Sequence, residues 1–158
     1  MPFPPIPATL FLLAIVAAAT VSHPAQAADR ATKEEAQTMV KKAIATIKEI
    51  GAKKAYQEIS EFEGDFFDRD LYLVVIDMEG NCLASGSRSV PVGKNLLDFK
   101  DIDSKALIKE RLEIAKTKSA FWQSYKFLDP FTRRVFPKQA YCETHKKTVI
   151  CGGIYSTP

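Results

Sequence analysis

Hydrophobic and polar positions change period along this chain. Thr32-Lys33-Glu34-Glu35 has the form of a capping box. Behind it, Ala36, Met39, Val40, Ala43, Ile44, Ile47 and Ile50 recur at helical spacing. Gly51 interrupts, and Ala55, Ile59 and Phe62 resume one face. The pattern predicts a long helix, broken or kinked near Gly51, with a Lys-rich outer side. Leu71 to Ile76 is a continuous apolar, β-branched run and predicts a buried strand. Asp77 to Asn81 reads as a turn and Cys82-Leu83-Ala84 as the returning strand of a hairpin. A polar connection follows, anchored by Leu96-Leu97 and Phe99. Asp103 or Ser104 is placed to cap a further helix, whose inward stripe is Leu107, Ile108, Arg111, Leu112 and Ala115. Ser119 to Pro130, Arg134 to Thr144 and Thr148 to Ser156 predict three more strands, the last two joined by a tight turn at His145-Lys146-Lys147. The expected architecture is α+β: about five mainly antiparallel strands, with the helices on one side.

The final hairpin allows a finer inference. If Lys146-Lys147 is a two-residue turn, Cys142 and Cys151 oppose each other at a non-hydrogen-bonded pair, where strands approach closest. A Cys142–Cys151 disulfide is favoured, with Cys82 buried and reduced; three separate buried thiols are the alternative.

Composition and the N-terminus set the compartment. Met1 to Ala27 contains no Lys, Arg, Asp or Glu, and Leu10 to Val21 is apolar. That run matches a secretory h-region and is well short of the ~20 residues that span a bilayer. Ala25-Gln26-Ala27 fits a cleavage site, so residues 1–27 read as a signal peptide and 28–158 as one domain. A short retained anchor is the other reading. Export fits a persistent disulfide. The chain's net charge of +3 is mixed in sign, without the basic stripe of a nucleic-acid binder. Outside the leader the only histidine is His145, which excludes a two-histidine metal site and disfavours a hydrolytic triad. Asp98, Asp101 and Asp103 lack the Gly and Glu of a calcium loop. No nucleophile has a base beside it, so no enzyme activity and no cofactor is expected.

The segment Phe121 to Tyr141 crowds aromatic rings and cations together. Trp122 and Tyr125 are three apart, as are Lys138 and Tyr141. On a strand this puts one of each pair on either face: one toward a pocket, the other packed against a helix. Pro137 is expected to disturb regular pairing. Arg133 and Arg134 read as exposed turn residues.

The order of these motifs resembles the single Cache domains of bacterial extracytoplasmic sensors. The resemblance rests on the strand and turn Leu71–Gly80, Gly93-Lys94-Asn95-Leu96, Trp122 with Tyr125, Lys138 with Tyr141, and Gly153-Ile154-Tyr155. It covers about Thr32 to Tyr155. It implies a PAS-like fold, a long N-terminal helix on a five- to six-stranded antiparallel sheet. It also implies binding of a small molecule, often an organic acid, and signalling through a membrane sensor kinase or chemoreceptor. Tyr72, Ser85, Trp122, Tyr125, Lys138 and Tyr141 are the implied ligand-binding residues. Ser85 and Gly86 stand where such domains commonly carry His-Pro. A homodimer through the N-terminal helix and a periplasmic location follow from the same resemblance. An envelope interaction protein with a vestigial pocket is the alternative function.

Overall fold

The structure is a computed structural model, described here for residues 30–129 and 132–156. The expected signal peptide lies outside the described residues. Helix α1 (Lys33–Ile50) opens with the capping box: Thr32 Oγ1 accepts from Glu35 N and Glu35 Oε2 from Thr32 N. Gly51, at φ 84°, breaks it from α2 (Ala52–Ile59); an L residue would be strained there. The strands are β1 (Phe67–Asp68), β2 (Leu71–Asp77), β3 (Cys82–Ser85), β4 (Ala120–Leu128), β5 (Val135–His145) and β6 (Thr148–Tyr155); α3 (Leu107–Ala115) lies between β3 and β4. The sheet runs β1-β2-β6-β5-β4, all neighbours antiparallel, and β3 also pairs with β2. The middle of the chain and its C-terminal end therefore meet at β2–β6, within the sheet.

Strand parity builds two cores. Leu71, Leu73, Val75, Tyr141, Ile150 and Ile154 point to one face, where Ala36, Val40, Ala43 and Ile47 of α1 cover them. Tyr72, Val74, Ile76, Cys142, Val149 and Cys151 point to the other, where Leu107, Ile108 and Leu112 of α3 and Leu96 of the connection cover them. Helices thus lie on both sides of the sheet, not on one. Both faces of β2 are buried, which explains its unbroken apolar run.

Other expectations meet mixed outcomes. β1, only two residues long, brings the strands to six and was not legible as a strand. The cap of α3 is Ala106, with no side-chain capping bond, rather than Asp103 or Ser104. The nearby Asp101 carboxylate instead accepts from the N–H groups of Asp103, Lys105 and Lys126, which organises the loop. Those bonds hold its pKa below the carboxylate norm, although burial pushes the other way. Pro137 leaves the pairing intact: Lys126↔Pro137, Phe127↔Phe136 and Leu128↔Val135 continue the β4–β5 ladder. The final hairpin forms as expected, with His145↔Thr148 as its first pair and a Cys142–Cys151 disulfide at a Cα–Cα distance of 4.1 Å. Cys82 is free and buried.

β4 is an edge strand. Its outer side meets the connection before α3, where Asp101 Oδ2 accepts from Lys126 N at 3.1 Å and Lys105 Nζ donates to Ser124 O at 2.7 Å.

Candidate functional site

Between the sheet and the covering segment lies a cavity of about 40 Å³, walled by Tyr72, Val74, Leu96, Phe99, Leu107, Arg111, Tyr125 and Phe127. At about 10–15 Å³ per water, it holds about three water-sized groups. The strands contribute alternate residues to it because only odd positions of β4 and even positions of β2 face this side.

Arg111 is the cation in the wall. It is 3% exposed, and Nε donates to Gln123 Oε1 at 2.9 Å. Gln123 in turn donates to Leu107 O and Glu110 Oε2. This chain fixes the guanidinium plane against the wall, 5.8 Å from the Tyr125 ring centroid. Burial raises the Tyr125 pKa, and Arg111 only partly opposes it, so the phenol stays a neutral donor.

Lys138, directly opposite Tyr125 in the β4–β5 register, supplies a second buried cation. It is 1% exposed, and its Nζ has no hydrogen-bond partner among the described residues. Nζ lies 3.8 Å from the Tyr72 ring centroid, 4.1 Å from that of Tyr155 and 5.8 Å from that of Phe127. Lys138 thus stands just behind two cavity walls, Tyr72 and Phe127. Burial drives its pKa well below the lysine norm; Asp70 and Asp129 oppose this and Arg111 adds to it. The two aspartates are themselves engaged by Arg30, at 3.3 Å to Asp70 and 2.8 Å to Asp129. Burial also raises the pKa of Tyr72, and the Tyr155 and Ser87 side chains only partly oppose this.

Gly153 makes room for Lys138. A Cβ built there would sit 2.3 Å from Lys138 Cε. Gly153→Ala is therefore expected to displace the lysine and lower stability by about 1–3 kcal/mol; a urea melt checks this, and an unchanged midpoint would contradict it.

The structure thus gathers Tyr72, Tyr125 and Lys138, but not the other three expected ligand-binding residues. Trp122 and Tyr141 pair across strands on the opposite face, with ring centroids 5.3 Å apart, and belong to the α1 core. The odd spacings have the expected result: Tyr125 and Lys138 face the cavity side, while Trp122 and Tyr141 pack on the helix side. Tyr141 donates to Glu143, and burial with that bond pushes its pKa up to about 12. Ser85 is buried, but its hydroxyl closes its own turn, donating to Ser87 O and accepting from Ser87 N, both at 3.1 Å. Arg111 was read from sequence as part of the inward stripe of α3, not as a ligand group. Its signal was a single charge among Leu107, Ile108, Leu112 and Ala115.

Among the described residues no group of His, Cys, Asp and Glu could hold a metal ion. No helix there is long and apolar enough to cross a membrane.

Comparison with known proteins fits this architecture. A Vibrio parahaemolyticus methyl-accepting chemotaxis protein superposes with a TM-score of 0.65 at 21% identity, covering 78% of this chain and 87% of that one. A Cache chemosensory domain, described for carboxylic acid recognition, gives 0.66 at 19%, covering 78% and 92%. The periplasmic sensor domain of a chemotaxis protein gives 0.60 at 20%, covering 78% and 90%. These likenesses show the fold. No curated protein matches. The Single Cache domain 2 family matches residues 12–156, nearly the whole chain, and this protein therefore belongs to that family of extracytoplasmic, small-molecule-binding sensor domains.

Proposed function

We propose that this protein is an exported, periplasmic sensor that binds a short-chain carboxylate in the Arg111 cavity. Occupancy would be passed to a membrane partner such as a sensor kinase or chemoreceptor. The observation that carries the reading is the buried Arg111 guanidinium in the wall of an apolar cavity whose lining residues include no carboxylate, with the Lys138 amine behind Tyr72 and Phe127. Arg111 makes no ion pair among the described residues; a buried cation without a counter-charge is costly, and an anion entering beside it recovers that cost. Arg111 offers the planar donor set that suits a carboxylate, and neutral Tyr72 and Tyr125 hydroxyls add donors in a dry surround. The small volume restricts the ligand to an acid of a few heavy atoms. The carboxylic acid recognition described for the related Cache domain agrees with this chemistry. Signalling would act by shifting which conformation the partner meets.

Thermal melts against formate, acetate, propionate, pyruvate and matched amines test the proposal. At about 100 times Kd, the fitting acid is expected to stabilise the protein by about 2.7 kcal/mol. Arg111→Gln is expected to remove that shift, because a neutral amide keeps a donor but not the charge. Stabilisation by amines, or an acid response unchanged in Arg111→Gln, would overturn it. The smallness of the cavity favours one second reading, an envelope interaction protein with a vestigial pocket. A flat screen on folded protein would support that instead.

A further inference from the structure

A second feature lies at the end of the molecule where the α1–α2 break meets the β5–β6 turn. There Lys48, Gly51, Tyr56, His145, Lys146 and Lys147 line an open groove of about 690 Å³. No carboxylate is among its lining residues. Lys48, Lys146 and Lys147 are exposed and make no ion pair among the described residues. By contrast, Lys42, Lys105, Lys109, Lys116 and Lys126 each pair with an acid. Lys53 and Lys54, also exposed, lie in the adjoining first turn of α2, which contains no acidic residue. The neighbouring carboxylates are Glu49, next to Lys48 on α1, and Asp77, opposite Thr148 in the β2–β6 register, whose oxygens accept from Glu79 N and from Asn81; neither lines the groove.

The groove also carries uncommitted donors. Gly51 provides no side-chain cap, and the first backbone bond of α2 runs from Ala55 N to Gly51 O. The N–H groups of residues 52 to 54 therefore have no partner within the helix. His145 Nε2 is buried and has no hydrogen-bond partner among the described residues. Burial, then Lys48 and Lys146, holds the His145 pKa down, so the ring is neutral at pH 7. Without an anion, the cations repel one another and the imidazole stays unprotonated.

We propose that this groove is an anion site, separate from the cavity, for a phosphate group. Lysines act as point charges that can converge on a tetrahedral dianion, and free helical N–H groups add directional bonds. A single carboxylate presents less charge and fewer acceptors than the groove supplies. The site is open to water, where each ion pair is weak, so a multiply charged group is needed to hold several lysines at once. That chemistry is shared by free phosphate monoesters and by phospholipid headgroups that end in a phosphomonoester.

His145 provides the readout, because a dianion beside it favours the imidazolium. NMR titration of its ring is run in chloride and in inorganic phosphate at matched ionic strength. Phosphate is expected to raise the His145 midpoint by about one pH unit. The rise should disappear in the Lys48→Gln, Lys147→Gln double variant and persist in Lys94→Gln. Arg111→Gln should leave it unchanged, which separates this site from the acid cavity. Co-sedimentation with phosphatidic acid but not phosphatidylcholine vesicles, competed by phosphate, would identify a lipid headgroup as the source. Phosphate binding without vesicle binding would identify a soluble ester. Equal His145 titrations in chloride and phosphate, or a phosphate response untouched in the double lysine variant, would overturn the proposal.

Discussion

Lys138→Met is expected to raise the melting temperature of the ligand-free protein while weakening its response to a short acid about tenfold. The direction follows from the depressed pKa of Lys138: the folded environment as a whole opposes its charge, despite Asp70, Asp129 and the facing tyrosine rings. Methionine keeps the length and apolar stem and removes the penalty. Relief of about 1–2 kcal/mol is typical when a buried charge is replaced by a hydrophobe of similar volume, or about 4–8 °C for a domain of this size. The pH dependence has a definite sign. The unfolded lysine titrates near 10.4, so between the depressed native pKa and that value the unfolded state binds the extra proton. Wild-type stability is therefore lost as pH falls through that window. The advantage of Lys138→Met should shrink as pH rises from 7 toward 10. Paired melts across that range, with and without acid, measure both effects. A variant less stable than wild type at pH 7, with its acid response intact, would show Lys138 to be an ordinary structural residue.

Loss of the Cys142–Cys151 disulfide is expected to cost about 3 kcal/mol, from the chain entropy of the short loop it closes. That corresponds to a melting temperature lower by about 10 °C. Cys142 and Cys151 are 0% and 3% exposed on the cavity side of the sheet, so reduction needs prior opening of the β5–β6 hairpin. The Cys142→Ala, Cys151→Ala double variant and reductant-treated protein should melt together. Cys82→Ser is the control for thiol chemistry. Burial pushes the Cys82 thiol up to about 11, so it forms little thiolate at neutral pH. Identical melts for the oxidised protein and the double variant would show that the bridge does not stabilise the fold.

Local periodicity explains how much of this was legible in the sequence. The capping box, the Gly51 break and the α3 stripe are each recorded within a few residues. The turn at Lys146-Lys147 sets a register that places Cys142 opposite Cys151 by counting alone. Strand parity likewise separates Tyr125 from Trp122 and Lys138 from Tyr141. What parity does not supply is the identity of each face. Both sides of β2 are apolar, so the run Leu71 to Ile76 says nothing about which helix covers which side. The placement of Trp122 and Tyr141 against α1 follows from that packing. Arg111 was visible as a charge in an apolar stripe, but the role of its partner Gln123, 12 residues later on another element, is long-range. Ser85 was chosen by position in a motif, whereas its hydroxyl bonds locally to Ser87.

The two bonds that cover β4 bear on how the molecule behaves in a crowd. An open sheet edge can accept a strand from a neighbour and begin a polymer. Here Asp101 occupies the Lys126 N–H and Lys105 occupies the Ser124 carbonyl. At the opposite margin, β1 and β3 are only two and four residues long. Neither border of the described sheet gives an incoming strand a long row of unused partners, so the protein can be concentrated with little risk of growth by strand addition.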